Sequence, residues 1–192
     1  MPFVHADASL TALLVQAWRP GLESSLGGWH QGMTLSALRE LSIIELEKAV
    51  EALRRLWLDA KGDARVPLRD AFTPESLRPW LSNIVLVEAL GVPARFRIRL
   101  AGTAAVSFAG RDFTGKFLDE VIATGKYDST IAPYLAAMKS GTPVEDDVVR
   151  DQFAAPDGTY LPVRRLVLPC SSNGGDIDRF VVGLFRYRPE SK

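Results

Sequence analysis

Two groups of strand-forming segments, separated by a helical segment, constrain the fold of this chain more than any other feature. The first group is a β-branched run at residues 83–90 and a strand at residues 95–101 that returns after a short turn. The second group is three strands predicted at residues 143–153, 159–169 and 179–188, with turn-forming residues between them. Short turns join antiparallel neighbours, so this order excludes an all-parallel sheet. We therefore predict an α+β fold with one five-stranded antiparallel sheet and helices packed on one face.

The strand at residues 95–101 predicts one apolar face and one cationic face. Its apolar residues alternate strictly with its arginines: Phe96, Ile98 and Leu100 with Arg95, Arg97 and Arg99. A short helix capped by Thr103 should follow, and Gly110 and Gly115 should bracket a turn. The arginines have two interpretations, because they can pair with acidic groups such as Glu88 or present a cationic surface to a partner or an anionic ligand.

Helices are also predicted outside this region. At residues 42–58, Ser42 and Glu45 can form a capping box in front of an apolar stripe. A shorter helix is predicted at residues 73–80, where proline follows a threonine, and another at residues 126–139. These patterns predict the elements that surround the sheet.

The N-terminal part of the chain is predicted to be separate from the sheet. Residues 1–41 fit either a packed arm or a mobile tail. We therefore divide the chain into an N-terminal helical extension with its amphipathic helix, residues 1–62, and one domain, residues 63–192. Hydrophobic residues make up 47% of the 192 residues, which is enough for a sizeable core.

Charge and cysteine content exclude several classes of protein. Lysine plus arginine and aspartate plus glutamate number 23 each, so no net charge directs the chain toward nucleic acid or an anionic membrane. No segment approaches the ~18 apolar residues of a membrane span, and no signal peptide is evident. The single cysteine, Cys170, excludes an internal disulfide framework and fits a reducing compartment, so a cytoplasmic location is expected.

No constellation of catalytic or metal-binding residues is evident. Neighbouring residues on a strand point to opposite faces, so Glu145, Asp146 and Asp147 should form a solvated edge rather than a convergent site. The only histidines, His5 and His30, are distant in sequence from Cys170, and no nucleophile motif is present. We therefore expect no metal site and no enzyme activity.

Two stretches resemble a bacterial family of small stand-alone PAS-domain proteins. The first is RLAGTAAVSFAGRDFTGKFLDE, in which an R-L-x-G-T pattern leads into G-R-D-x-T-G and then L-D-E. The residues that match are Arg99, Leu100, Gly102, Thr103, Gly110, Arg111, Asp112, Thr114, Gly115, Leu118, Asp119 and Glu120. The first stretch is preceded by the segment from Pro67 to Glu88, with its PWLSNIVLVEA, which is part of the resemblance. The second stretch is the final hairpin, PVRRLVLPCSSNGGDIDRFVVGLFRY. The resemblance spans roughly residues 50–188 and implies a sensory or interaction module with a pocket between its sheet and its central helices.

The resemblance leaves the cofactor unnamed. Haem-binding PAS domains use a histidine of the central helical region as an axial ligand, whereas His5 and His30 lie in the N-terminal extension. Photoactive flavin PAS domains use a cysteine on the central helix, whereas Cys170 lies at the end of a predicted strand. Both chemistries are therefore disfavoured.

Two sets of residues are candidates for binding. The pocket candidates are Phe96, Ile98, Phe108, Phe113, Phe117, Tyr134 and Met138. The candidates for a partner surface are Leu46, Val50, Leu53, Trp57, Arg99 and Arg165. The four apolar members of the second set form one helical stripe, which fits either homodimer packing or coverage of the open sheet face.

The resulting hypothesis is a signal-transduction module without its own output domain. It would bind a small molecule or a protein partner and act as a homodimer. No binding to nucleic acid or to a membrane is expected. A ligand near Phe113 and Tyr134 would change the packing of the N-terminal helix through a population shift. The alternative is a small α+β enzyme or carrier that uses the same cavity, with Asp112 or Tyr134 as residues essential to its activity.

Overall fold

One antiparallel sheet organises the computed structural model, which describes residues 40–122, 125–148 and 162–189. Its strands are β1 (Ile84–Leu90), β2 (Arg95–Ala101), β3 (Val144–Val148), β4 (Val163–Cys170) and β5 (Arg179–Arg186). They are arranged in the order β2-β1-β5-β4-β3, and every neighbouring pair is antiparallel. The predicted five-stranded antiparallel sheet is confirmed. The predictions for residues 1–39, including those for His5 and His30, lie outside the described residues.

The first helix, α1 (Ile43–Lys61), begins at the predicted capping box. The Glu45 N–H donates to Ser42 Oγ at 3.3 Å, and the Ser42 N–H donates to Glu45 Oε2 at 2.9 Å. These two bonds satisfy N–H groups that a helix start would otherwise leave without partners. The helix runs three residues past its predicted end and stops at Gly62.

The α-helix predicted at residues 73–80 is wrong. The Thr73 N–H donates to Ser76 Oγ and the Ser76 N–H donates to Thr73 Oγ1, at 3.0 and 3.2 Å, which closes a turn. Pro79 has no N–H, so an α-helix beginning at Thr73 would lose a bond in its second turn. The chain instead forms a 3-10 helix at Arg78–Asn83, after an earlier one at Arg69–Ala71.

Three helices follow β2: α2 (Thr103–Ala109), α3 (Leu118–Val121) and α4 (Tyr127–Ser140). The N-cap of α2 is Gly102 rather than the predicted Thr103. A Cβ at Gly102 would collide with the backbone carbonyl oxygen of Ser82, so only glycine fits there. Gly110 ends α2 as predicted, with a φ of +69°.

A β-bulge breaks the alternation expected in β2. Leu86 pairs with Leu100 and Val87 pairs with Ile98, so Arg99 is an extra residue between the two pairs. Paired residues share a face of the sheet, and consecutive residues of β1 lie on opposite faces. Leu100 therefore lies on the face opposite to Ile98, which corrects the prediction that the two share one apolar face.

The two faces of the sheet carry different helices. The inner face, with Val85, Ile98 and Val182, lies beneath α2, α3 and α4, whereas α1 covers the outer face over β4 and β5. The Trp57 indole N–H donates to the Pro169 carbonyl at 2.7 Å and fixes α1 on β4. The helices α2, α3 and α4 therefore pack on one face of the sheet, as predicted, and the N-terminal helix α1 covers the other face.

The apolar stripe of α1 packs against the sheet. Its four residues, Leu46, Val50, Leu53 and Trp57, are only 0–3% exposed. The interpretation in which the stripe covers the open sheet face is therefore the one observed. The same burial removes these four side chains from any partner surface in this structure.

Candidate functional site

A cavity of about 100 Å³ lies between the inner face of the sheet and the helices α2, α3 and α4. Of the seventeen residues that line it, thirteen are apolar and four are polar. The apolar ones are Val85, Val87, Ile98, Ala105, Ala109, Phe113, Leu118, Val121, Ile122, Val148, Val163, Val182 and Leu184. The polar ones are Arg111, Thr130, Tyr134 and Arg165. We call this space the inner cavity.

Three of the seven predicted pocket residues, Ile98, Phe113 and Tyr134, line the inner cavity. Ile98 reaches it from β2 and Tyr134 from α4. Phe113 lies in the glycine-bracketed loop after α2. The loop, the sheet and α4 thus converge on one space, as the family resemblance implied.

The other four predicted pocket residues lie elsewhere. Phe96 is packed in the core, with its ring centroid 5.2 Å from that of Tyr134. Phe108 belongs to a small separate cluster with Ala104 and Val163. The Phe117 ring lies 3.7 Å beneath the Arg95 guanidinium, and Met138 packs partly buried against the main core.

Tyr134 is fixed in place by other aromatic rings. Its ring lies 5.4 Å from that of Phe180 in an edge-on arrangement and is tilted against Phe96. Aromatic pairs at such distances and angles add about 0.5–1.5 kcal/mol beyond the burial of their area. The wall of the inner cavity at Tyr134 is therefore held rigidly by the core behind it.

Arg165, a predicted partner-surface residue, supplies a buried cationic group to the wall of the inner cavity. It is only 4% exposed, and its Nε and Nη2 donate to the two carboxylate oxygens of Asp146 at 2.8 and 2.6 Å. Its Nη1 donates to the Thr130 carbonyl at 2.9 Å. Burial, which lowers the pKa of Arg165, is outweighed by the hydrogen bond and charge of Asp146 and by Tyr134, so the pKa is raised.

Arg99, the other arginine of the predicted partner surface, lies far from Arg165 in the sheet. Arg99 belongs to the edge strand β2 and is 46% exposed, with Nη1 3.7 Å from Glu88 Oε2. Arg97 also pairs with Glu88, and Arg95 pairs with Asp119. The interpretation in which these arginines pair with acidic groups is therefore observed. Arg99 and Arg165 do not form one surface.

The G-R-D-x-T-G loop contributes Arg111 and Phe113 to the wall of the inner cavity. Asp112 Oδ1 accepts from the Thr114 N–H at 2.8 Å, and Thr114 Oγ1 accepts from the Ala101 N–H at 3.2 Å. Arg111 Nη2 donates to the Val121 carbonyl at 2.9 Å, which ties the loop to α3. These bonds position Arg111 and Phe113 against the cavity, so the polar residues of the motif serve mainly to hold the loop.

β3 lies at the edge of the sheet and its three carboxylates are 27–41% exposed, in line with the predicted solvated edge. Asp146 faces inward to Arg165, whereas Glu145 and Asp147 both pair with Arg164 on the other face. The alternation of faces is confirmed, but each carboxylate is held in a cross-strand ion pair. Asp147, the strongest influence on Arg164, raises the pKa of that guanidinium.

Cys170 is buried at the end of β4 and does not line the inner cavity. Burial raises the pKa of its thiol, so the thiol stays protonated. Within residues 40–122, 125–148 and 162–189, no three His, Cys, Asp or Glu side chains come close enough to hold a metal ion. No helix in the described part of the chain is long and apolar enough to cross a membrane.

Several solved structures resemble this fold at low sequence identity. The light-state structure of the blue-light photoreceptor Aureochrome1 LOV is 15% identical over 59% of this chain and 88% of that chain, with a TM-score of 0.38. The LOV protein of Rhodobacter sphaeroides is 14% identical over 73% of this chain and 67% of that chain, with a TM-score of 0.40. The PAS domain of an HTR-like protein from Haloarcula marismortui is 16% identical over 58% of this chain and 89% of that chain, with a TM-score of 0.37. Likenesses this distant carry no argument about the cavity.

The family comparison is decisive. No curated protein is similar enough to this chain to count as a match. A family model described as a PAS domain matches residues 46–185, well over half of the chain, and spans the strands and helices that enclose the inner cavity. The chain belongs to the PAS domain family, whose fold is that of a sensory module.

Proposed function

We propose that this PAS domain senses a compact, mainly apolar small molecule that binds in the inner cavity. The observation that carries the proposal is a space of about 100 Å³ between the sheet and the helices, lined by thirteen apolar residues. Protein interiors are close-packed, and a void of this size forfeits contacts that would stabilise the fold. Binding of a ligand would restore those contacts.

The volume limits the size of the ligand. An apolar cavity of about 150 Å³ binds benzene, whereas a single water needs only about 10–15 Å³. The inner cavity, at about 100 Å³, lies between these limits. The ligand is therefore a molecule of a few heavy atoms, or a larger one that displaces part of the wall.

The polar end of the cavity adds chemical selectivity. The bidentate bond to Asp146 holds the Arg165 guanidinium in one orientation beside Tyr134, with its carbon 5.7 Å from the ring centroid. A guanidinium only donates hydrogen bonds. A ligand with an apolar body and one hydrogen-bond acceptor fits this arrangement best.

Binding would signal through a shift between packing states. Val182 and Leu184 of β5 line the cavity, whereas a Cβ added at Gly183 between them would lie 2.9 Å from Leu53 of α1. A single strand thus separates the ligand from α1. A ligand that prefers one position of β5 would change the population of α1 packing states by its differential affinity.

We further propose that the domain has no enzyme activity of its own and acts as a homodimer in the cytoplasm. The polar residues of the cavity wall include no carboxylate, histidine or thiol among the described residues, which supports the first point. Ile44 and Leu58 of α1, 62% and 50% exposed, support a contact between copies. The single cysteine supports a reducing compartment.

Native mass spectrometry of the purified 192-residue chain tests these points together. We expect a dimer that carries a co-purified small molecule, or that binds added benzene saturably. Ala105 of α2 lines the cavity, so Ala105→Leu should abolish this binding, whereas Ala136→Leu on the exposed side of α4 should leave it unchanged. Equal binding by both variants would refute the proposal.

A turnover activity that disappears in Asp112→Asn or Tyr134→Phe would instead support the enzyme alternative. A monomer at every concentration tested would refute the homodimer.

A further inference from the structure

Glu88 of β1 is the centre of a second polar site. Its side chain is 3% exposed and contacts three guanidiniums. Arg97 pairs with Oε1, while Arg99 Nη1 and Arg179 Nη2 each lie 3.7 Å from Oε2. A buried carboxylate is stable only with such compensation. We call Glu88 and these three arginines the Glu88 cluster.

The Glu88 cluster contains more positive charge than one carboxylate can balance. Arg179 has a second partner, Asp178, at 3.0 Å, whereas the ion pairs that the described structure gives Arg97 and Arg99 are with Glu88. The separation of 3.7 Å is short enough for an ion pair but longer than a hydrogen bond. Glu88 therefore holds Arg99 and Arg179 by charge, without engaging their N–H groups in direct bonds at those atoms.

A second cavity, of about 90 Å³, lies at the cluster. Its wall includes Glu88, Arg99 and Arg179, together with Arg69 from the first 3-10 helix. Arg69 contacts Asp70 at 3.2 Å, so its charge is partly compensated. The space thus collects guanidiniums from three separate elements around one carboxylate.

We propose that this second cavity binds a small oxyanion, a phosphate or carboxylate group carried by a soluble molecule. Guanidiniums match both groups with paired N–H donors, and several that converge on a cavity bind such groups more strongly than isolated ones. The site is independent of the ligand proposed for the inner cavity, so either proposal can fail alone.

Arg95 provides a matched control for Arg99. Both lie on β2, with side chains 47% and 46% exposed. Arg95 is bonded to Asp119 at 2.7 and 2.9 Å and lines neither cavity, whereas Arg99 lines the second cavity. Replacement of either residue removes one positive charge from the same strand. A difference in anion affinity between the two variants is therefore due to the position of the charge and not to the change in net charge.

Isothermal titration calorimetry of the 192-residue chain with inorganic phosphate, and separately with acetate, tests the proposal at an ionic strength fixed with sodium chloride. We expect saturable binding of at least one anion, and the one that binds identifies the group. Arg99→Gln should weaken that binding about tenfold or more, since a hydrogen bond to a charged group contributes about that factor. Arg95→Gln should leave the affinity unchanged.

The variant Glu88→Gln tests whether the negative charge of Glu88 opposes anion binding, through the direction in which the anion affinity changes. It removes the carboxylate that competes with the anion, so the folded variant should bind more tightly than the parent chain. If Glu88→Gln does not fold, as judged by circular dichroism, the comparison of Arg99→Gln with Arg95→Gln decides alone. Any of three results would overturn the proposal. These are no saturable binding of either anion, equal losses of anion affinity in Arg99→Gln and Arg95→Gln, and weaker anion binding by folded Glu88→Gln.

Discussion

The substitution Val182→Ile tests whether the inner cavity is an empty space that a side chain can fill. Val182 lies on β5 and lines the cavity, while Val181 beside it is fully buried and lines neither cavity. Neighbouring residues of a strand face opposite sides of the sheet. The same added methylene should therefore have opposite effects at the two positions.

The expected changes in the free energy of unfolding follow from the burial and packing of the added methylene. At Val182 the new methylene fills part of about 100 Å³ and should stabilise the fold by about 0.8 kcal/mol. For a chain of this size, that free energy raises the Tm by about 2–3 °C. Val181 is fully buried and borders neither cavity, so Val181→Ile should overpack the core and lower the free energy of unfolding by about 1–3 kcal/mol.

Urea and thermal unfolding of the two variants and the parent chain would measure both effects. Val182→Ile should also weaken benzene binding, because it occupies part of the cavity. If Val182→Ile destabilised the fold as much as Val181→Ile, the space between the sheet and the helices would not be available to a side chain or a ligand. The reasoning behind the proposed ligand site would then be refuted.

Three further predictions concern the scaffold. Gly102→Ala should lower the free energy of unfolding by about 2 kcal/mol or more, because the carbonyl of Ser82 cannot move aside. At Gly110 only the positive φ opposes alanine, so Gly110→Ala should lower the free energy of unfolding by about 1 kcal/mol in urea unfolding. A larger loss in Gly110→Ala than in Gly102→Ala would contradict the close approach at Gly102. Ser42→Ala should cost about 1 kcal/mol in the same assay through loss of its cap, and an unchanged stability would show that the capping box contributes nothing. Cys170, whose thiol pKa is raised by burial, should react with a disulfide reagent only in urea, and rapid labelling of the native chain would disprove its burial.

Local patterns predicted the elements that local hydrogen bonds decide. The capping box at Ser42 begins α1 as expected, and Gly141, with a φ of +70°, ends α4. Both ends depend on residues within one turn of the helix, so the sequence alone contains the required information. The N-cap of α2 was assigned to Thr103 rather than Gly102 because the close approach of Ser82 comes from a distant part of the chain.

The cavity wall was harder to predict, because it depends on strand register. The alternation in β2 is perfect in the sequence, yet the bulge at Arg99 moves Leu100 to the other face. Arg165 was assigned to a partner surface, although its neighbours at positions 163 and 167 are apolar and buried. That alternation, together with an acidic residue opposite it on β3, is the signal that could have placed Arg165 in the wall. The domain boundary at residue 62 stays a prediction.

The position of β5 explains how a signal could cross the sheet. Val182 and Leu184 contact the inner cavity, and Gly183 between them faces α1, where the ring of Phe185 and the side chain of Leu53 both lie within 3 Å of the position that a Cβ would take. A side chain at Gly183 would displace both of them and separate α1 from β5. With glycine, a displacement of the β5 backbone is passed to Phe185 and Leu53, because packed cores have discrete arrangements rather than a continuous response. A ligand in the inner cavity should therefore change the exposed side of α1, where Ile44 and Leu58 lie, more than it changes the edge strand β2.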